Sequence, residues 1–472
     1  MLKKYFLCLF LINFFNASCL FAQDFKLVIT IEASLKEVSP FYIDRIDIID
    51  AQGKVYPLLT ERKKVEVSKD PFILLDTKFP KGNYQEILLK VCSDFKEKTY
   101  KYLWETIKKN DNFFWLSLYF MQSQTGEIEL VQKSPISYVK ENVLFIPMKD
   151  SELIGVFDRI SGKLLDLFYI PYGVEDELSK SYKYQYLYGV LSKKNNLIII
   201  DPIKKTEIFI DLKRGIFPIS VTSTVLNNGK ELIFIANFRS NTISVIDAES
   251  LSEIKTLNVG NGPIKIWVDP PPETIKNIKQ EVYQYLIFYR NLYCLNFYSG
   301  TLTVFKLDAG NNKVLKVMEY NLGSKPINLF VDYENGLVYI INQNTNYVNA
   351  GFITAIVDSP SSSFFRIETG EFGIVDGAYN SRLNQIILLK ETPGELIFGR
   401  SHLMGQQYMN QLILIEKLKL KGEPYYITLD MDLSKLYIID KKNKKLLIYD
   451  FYSKKIQKEI ELFINPGKVL IW

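Results

Sequence analysis

The hydrophobic pattern of this chain consists of short apolar runs separated by polar turns, and it is clearest between Lys230 and Asp269. Leu232–Ala236 is a continuous apolar run, and Asn237–Asn241 is a polar turn. Thr242–Ile246 alternates, with Ile243 and Val245 on one face, as a half-buried strand requires. Asp247 opens a second turn, and Glu253–Val259 reads as a third strand. Gly260-Asn261-Gly262-Pro263 then turns the chain into a fourth, Ile264–Val268. Gly, Asn, Asp and Pro stand where the chain must bend, each for its own conformational reason.

Fainter copies align on the turn between second and third strands. Met148-Lys149-Asp150 precedes a run ending at Asp158, and Ser192-Lys193-Lys194-Asn195 one ending at Asp201. Asn296–Gly300 precedes a run ending at Asp308, and Asn342–Gly351 one ending at Asp358. Lys390–Asn410 precedes Leu412–Lys417, and Asp440–Lys444 precedes a run ending at Asp450. The turn ahead of the innermost strand recurs at Gly323-Ser324-Lys325-Pro326, Gly422-Glu423-Pro424 and Asn465-Pro466-Gly467. Proline suits the first position of a strand, where no ladder donor is needed. Four strands in about 45 residues is the spacing of a propeller blade, so the copies predict an all-β, seven-bladed β-propeller. In the Ala236-Asn237-Phe238 and Ser240–Asp247 stretches and in the Gly260–Pro263 turn, the clear unit resembles the YVTN-type repeat of bacterial exported propellers. The resemblance implies a fold and an envelope location, and it implies no particular ligand or reaction.

Lys468–Trp472 reads as an extra innermost strand that closes the ring. Phe114–Phe120 and Glu127–Val131 resemble third and fourth strands, so a composite eighth blade is open beside the count of seven. Residues 24 to about 110 do not repeat. Val28–Ile31, Ile43–Ile49, Val65–Val67, Phe72–Leu75 and Ile87–Val91 read as strands, with turns at Gln52-Gly53 and Gly82-Asn83. The expected organisation is a signal peptide over 1–22, a β-sandwich-like domain over 23–112 and the propeller over 113–472. Residues 270–282 are read as an insertion between blades that holds a short helix.

Composition agrees with strands. Aromatics are 14% of the chain, with 30 Tyr and 31 Phe, and such residues fit a pleated, half-buried surface. Lys3, Lys4 and the apolar run Tyr5–Phe15 resemble a secretion signal, too short to span a bilayer. Cleavage after Ala22 and lipidation at Cys19, behind Ala17-Ser18, are both open. Export is therefore expected, to the periplasm or cell surface, with membrane contact only through such an anchor. Cys92 and Cys294 lie far apart in sequence and are not expected to bridge. The net charge of +5 is too small to argue for nucleic acid. The cluster Lys441, Lys442, Lys444 and Lys445 reads as a solvated turn.

Candidate chemistry is sparse. Asp158, Asp201, Asp247, Asp308, Asp358 and Asp450 each end a third strand, where Asp bonds its own turn backbone. His402 is the one histidine, and it cannot by itself build a histidine metal site or a haem pocket. No G-x-S-x-G elbow, P-loop or dinucleotide fingerprint is present. No catalytic residue, metal or cofactor is expected. A lactonase-like hydrolase with a metal in the central channel is the alternative. It needs convergent carboxylates on innermost strands, where Lys265 and Asn328 lie without an evident carboxylate set. Tyr182, Tyr184, Tyr186 and Tyr188 alternate as if on one strand face, and Tyr283, Tyr285 and Tyr289 do much the same. They are read as packing between blades, with a binding platform as the second reading. The long segments Asn342–Gly351 and Lys390–Asn410 are expected at equivalent turns of consecutive blades, crowding one sector of one rim. Asn342, Gln343, Asn344, Asn346, Arg400, His402, Gln406 and Gln407 are the partner-binding candidates there. The expected partner is an envelope protein, held by a non-enzymatic scaffold; a scaffold role in outer-membrane protein assembly is a further alternative. Metabolic labelling with a palmitate analogue separates the two processing routes. Label abolished by Cys19→Ala marks lipidation, and no label marks cleavage after Ala22.

Overall fold

The computed structural model describes residues 25–33, 41–65, 72–93, 96–103, 108–110, 113–122, 128–132, 142–311, 313–356, 364–402 and 411–472. The chain divides into two compact units, Met1–Ile136 and Ser137–Trp472. The signal segment and Cys19 lie outside the described residues.

The first unit is a β-sandwich. In one sheet Phe25–Ala33 lies between Phe72–Phe79, antiparallel, and Phe113–Gln122, parallel, with Ile128–Gln132 beyond the latter. In the other, Phe41–Asp50 lies between Val55–Leu59 and Tyr84–Ser93, with Lys96–Leu103 outside. Leu27, Ile29 and Ile31 alternate inward from the first sheet and meet Ile46, Ile48, Ile87 and Leu89 from the second. A bulge between Ile43 and Arg45 adjusts the register so that Ile43, Ile46 and Ile48 all reach this core. Phe113–Gln122 pairs along nearly all of Phe25–Ala33, and Phe114, Leu116 and Leu118 fill the sandwich. The expected boundary at residue 112 is therefore corrected to Ile136/Ser137. The eighth blade also disappears, because the strands proposed for it are part of the sandwich.

The second unit is a β-propeller of seven four-stranded blades. From the axis outward, blade 1 holds Leu470–Ile471, Val143–Met148, Leu153–Asp158 and Leu164–Tyr169. Blade 2 holds Ser179–Lys180, Leu187–Leu191, Asn196–Asp201 and Thr206–Asp211. Blade 3 holds Pro218–Val225, Glu231–Asn237, Thr242–Asp247 and Ser252–Asn258. Blade 4 holds Pro263–Val268, Tyr289–Asn296, Thr301–Asp308 and Val314–Asn321. Blade 5 holds Pro326–Asp332, Leu337–Asn342, Tyr347–Phe352 and Phe364–Glu368. Blade 6 holds Ile374–Asn380, Gln385–Lys390, Glu395–His402 and Gln411–Lys419, and blade 7 holds Pro424–Asp430, Lys435–Asp440, Lys445–Asp450 and Lys455–Glu461. Second and third strands are buried on both faces because neighbouring blades sandwich them, whereas outer strands such as Lys455–Glu461 alternate.

Several local readings change. In blade 5 Asn349 and Ala350 pair with Ile340 and Tyr339, so the third strand is Tyr347–Phe352. The expected ten-residue loop shrinks to residues 343–346, with Asn344 in the left-handed region at φ 57°. In blade 6 Lys390 pairs with Glu395, so the second-to-third turn is short, and Leu412–Lys417 belongs to the fourth strand. The insertion after residue 269 lies within blade 4, and its helix α1 spans Gln280–Phe288. Tyr182, Tyr184 and Tyr186 sit in a loop, and of that run Tyr188 alone is on a strand. Ser181 explains the loop, since its Oγ accepts from Lys183 N and Tyr184 N and donates to buried Glu231 at 2.6 Å. Tyr283 and Tyr285 are on α1, while Tyr289 begins the strand that follows. The aspartate reading holds where it is described: Asp201 Oδ1 accepts from Ile203 N at 2.9 Å, and Asp247 Oδ1 from Glu249 N at 2.9 Å. Asp358 lies outside the described residues. Cys92 and Cys294 are both free, and they belong to different units.

The ring is closed by the chain's own end. Leu470 and Ile471 pair with Phe145 and Leu144, Trp472 N donates to Val143 O at 3.0 Å, and the Trp472 ring meets Phe145 edge-on at 5.8 Å. Gly467 is required there, because a Cβ would lie 2.2 Å from the Asp176 carbonyl oxygen. Across the seam Arg159 donates from Nε and Nη2 to both oxygens of Asp430, each at 2.5 Å. Tyr437 donates to the Arg159 carbonyl at 2.9 Å. Removing one partner of a buried pair leaves the other charge uncompensated, at roughly 3–5 kcal/mol. Arg159→Ala is therefore expected to destabilise the protein by about that much in chemical denaturation. A loss below about 1 kcal/mol would mean that the seam does not depend on this pair.

Candidate functional site

The strand order fixes two faces. Second-to-third turns and blade-to-blade connections open on one, called here face I. First-to-second and third-to-fourth turns open on the other, face II. Two cavities lie on the axis between them. One of about 210 Å³ opens toward face I and includes Asp176, Asn328, Tyr425 and Tyr426 in its wall. One of about 520 Å³ lies toward face II and includes Trp267, Phe330, Tyr333 and Tyr379.

Between the cavities the axis is ringed by one residue from each blade. Five of them stand two places after the first residue of an innermost strand: Ser220, Lys265, Asn328, Asp376 and Tyr426. A bulge recurs there in all five blades and turns that side chain toward the axis. Lys468, two places after Pro466, and Glu177, just ahead of Ser179–Lys180, complete the ring. The charges on it are paired. Lys265 bonds Glu177, and Lys468 Nζ lies 2.9 Å from Asp376 Oδ2. Asp376 also accepts from Asn328 Nδ2 at 2.8 Å and from Ile427 N at 2.9 Å. Burial raises the Glu177 carboxyl, but the Lys265 and Lys468 ammoniums outweigh it and hold the group below its ordinary value. Burial lowers Lys265, and Glu177 only partly restores it. Burial also works against charge on Lys468, yet Asp376 and Glu177 leave it raised.

Glu177 and Asp376 are thus the channel carboxylates that the sequence reading lacked. The signal that finds Asp376 is the column two places after the first residue of the innermost strand, not a motif; Glu177, ahead of its own short strand, falls outside that column. Their chemistry does not fit the metal of the lactonase-like alternative, because each carboxylate is taken up by a lysine ammonium. Among the described residues no group of three or more His, Cys, Asp or Glu is placed to hold a metal ion.

The loop candidates separate. Gln343 and Asn344 are exposed on face I, and the Asn346 carbonyl accepts from Thr369 N at 2.8 Å and from its Oγ1 at 2.6 Å. Asn342 is buried at a strand end and donates to Asn349 at 2.6 Å. Arg400 points back to Leu383 O at 3.4 Å, toward face II, and the backbone of His402 pairs with Gln411 there. Gln406 and Gln407 lie outside the described residues. The single crowded sector is therefore corrected: Gln343 and Asn344 lie on face I, whereas Arg400 and His402 end the third strand of blade 6 at face II. The loop tyrosines pack on one another, and two lysines of the expected solvated turn are held in ion pairs. Tyr184 stacks on Tyr186 at 5.9 Å, Lys441 bonds Asp176 at 2.7 Å, and Lys445 bonds Glu459 at 2.8 Å.

What face I does gather is a cationic, aromatic arc over blades 2 to 5. Its turns, 192–195, 212–217, 238–241, 259–262, 297–300, 322–325 and 343–346, carry Lys193, Lys194, Lys213, Arg214, Arg239 and Lys325 and no carboxylate residue of their own; from outer strands, Glu253 accepts from Lys213 N and Glu319 from Thr301 Oγ1, each at 2.8 Å. Arg239 lies 4.6 Å over Phe217 and Lys325 5.0 Å over Phe297. Phe217, Phe238 and Tyr298 follow one another at 6.2 and 5.5 Å. Tyr298 is 64% exposed and Ile216 50%.

No family model matches the sequence, and no curated protein does. Among solved structures, the chain is similar to a functionally unknown protein from Desulfotomaculum acetoxidans, with TM-score 0.53 and 12% identity over 70% of this chain and 99% of that one. It is also similar to a candidate 6-phosphogluconolactonase from Bacteroides fragilis, with TM-score 0.51 and 14% identity over 71% and 99%. This is a β-propeller protein. At such identities the likeness shows the fold alone.

Behind the larger cavity lies a buried relay. Trp267 Nε1 donates to Tyr333 Oη at 3.2 Å, and Tyr333 donates to Asp269 Oδ1 at 3.1 Å. Asp269 also accepts from Asn291 N at 2.9 Å, and Arg290 beneath it is 1% exposed. Burial pushes the Asp269 carboxyl up to about 7, against the lowering effect of the Asn291 N–H, the Tyr333 hydroxyl and Arg290. A raised folded-state value favours the protonated form. Its stabilising contribution is full below the unfolded value, about 3.9, and is lost as pH rises through about 7. Trp267 emission is expected to titrate with a midpoint near 7 in the native protein and to lose that transition in Asp269→Asn. A transition that persists in the variant would assign it to another group.

Proposed function

We propose that this chain is a non-enzymatic binding protein of the bacterial cell envelope that holds an acidic surface of another envelope protein on the face I arc of blades 2 to 5. The cations there, set among exposed Tyr298 and half-buried Phe217, Phe238 and Phe297, with no carboxylate residue in the same turns, carry the reading. Arg and aromatic residues supply most of the energy of typical protein interfaces. Like charges set in one arc steer an oppositely charged partner and suppress others. Rigid blades hold these turns in place, so little ordering cost is left to binding. Export and kinship with YVTN-type propellers are parts of the same proposal. They are supported by the Lys3–Lys4 segment with its apolar run and by the Ser240–Asp247 and Gly260–Pro263 motifs. An outer-membrane assembly scaffold would be the lipidated form of this reading. The lactonase-like alternative would have to work without the channel metal.

The test is crosslinking and affinity purification from envelope fractions with wild-type protein and with Arg239→Glu/Tyr298→Ala. A reproducible partner is expected from the wild type, with recovery at least about tenfold lower from the double variant at unchanged melting temperature. Recovery should also fall as salt is raised. Equal recovery by both proteins would remove the arc from the interface, and a turnover activity without any partner would overturn the proposal.

A further inference from the structure

The cavity toward face II is separate from that arc. At about 520 Å³ it is of the size that holds a small ligand. Its wall is largely apolar and aromatic, with Trp267, Phe330, Tyr333, Tyr379 and Met431 facing the same space. Four charged residues also line it: Glu177, Lys180, Lys265 and Lys468. Glu177 and Lys265 neutralise each other, and Lys468 is neutralised by Asp376. Lys180 has no carboxylate partner among the described residues. Its ammonium lies 5.8 Å from the Tyr182 ring centroid at the mouth. The lining therefore leaves one positive charge unanswered beside a wide apolar wall.

The mouth is bordered by the insertion of blade 4. Lys279 N donates to Tyr333 O at 2.9 Å, in the first-to-second turn of blade 5. Asn277 Nδ2 donates to Ser381 Oγ at 2.9 Å, in the equivalent turn of blade 6. Lys276 pairs with Asp432 in that of blade 7, and Asp432 also takes Arg159 at 3.3 Å. Val282 and Leu286 of α1 pack on Ile353 and hold the base of the insertion. The segment thus lies along three successive turns at the rim of the cavity. Arg159 and Lys276, both engaged by Asp432, add to the burial that lowers the Lys180 ammonium.

We propose that this cavity binds a small amphipathic monoanion. A flat apolar body lies against the Trp267, Phe330 and Tyr379 side of the wall, and its carboxylate or sulfonate meets Lys180. A cation would face an unpaired ammonium. A nucleotide-like polyanion would find one free charge for several phosphate oxygens. A neutral polar molecule would leave the apolar wall uncovered and forgo the charge-assisted contact with Lys180, which is exposed at the mouth.

The test uses the purified full chain and 8-anilinonaphthalene-1-sulfonate as the probe, with N-phenyl-1-naphthylamine as its neutral counterpart. One saturable site with energy transfer from tryptophan is expected, and tighter binding of the sulfonate than of the neutral probe. Lys180→Met should weaken the sulfonate by roughly tenfold or more, the loss of one charge-assisted contact, and remove the preference between the two probes. Lys255→Met, on the exposed outer strand of blade 3 and outside both sites, should change neither. Absence of saturable binding, an unchanged affinity in Lys180→Met, or an equal loss in Lys255→Met would overturn the assignment. Partner recovery through the face I arc is read separately, so each proposal can fail alone.

Discussion

Ring closure is the constraint on which the propeller depends. Blade 1 lacks an innermost strand of its own until Leu470 and Ile471 arrive from the far end of the chain. An open row of blades would leave two apolar blade faces in water, and closure buries them against each other. The C-terminal pairing is short, so the seam is reinforced by other means. Trp472 packs on Phe145, and the buried Arg159–Asp430 pair locks blade 7 to blade 1. Gly467 lets the returning chain pass against the Asp176 carbonyl.

The same closure decides what the axis can do. Seven innermost strands converge, and a bulge near the start of five of them turns a side chain inward. Carboxylates and ammoniums brought that close must pair or lose charge, because the wall offers them little water. Glu177 pairs with Lys265 and Asp376 with Lys468, so the ring is a cross-braced constriction and not an open set of metal ligands. Among the described residues, positive charge without a carboxylate partner is left at the face I arc and at Lys180 at the face II mouth.

The two faces differ because insertions are placed by strand order. The blade 4 insertion with α1 and the tyrosine loop after Lys180 both open on face II. Face I keeps short turns, and its character comes from the residues in them. Short turns on buried, doubly sandwiched strands are rigid presenters of side chains. That suits a recognition surface, whereas the longer face II segments border a cavity.

The sequence by itself determined the strand content, the four-strand period and the C-terminal clasp, and it left the count between seven and eight blades. These rest on local signals: apolar periodicity, turn residues and strand-opening prolines. It also placed the repeated aspartates correctly in turns, since an Asx turn is made within a few residues. Only the tertiary structure decided which strands pair. Phe113–Gln122 looks like a blade strand in pattern, and its parallel partner Phe25–Ala33, far away in sequence, puts it in the sandwich. Loop length was likewise misread where a polar run was itself a strand, as at Tyr347–Phe352, since burial between blades tolerates Asn349 once Asn342 bonds it. The axial ring, the pairing of its charges and the lone Lys180 arise from residues up to some 290 positions apart, brought together by closure. Periodicity reports which way a side chain faces within its own blade, and only the closed ring sets what it faces across the axis.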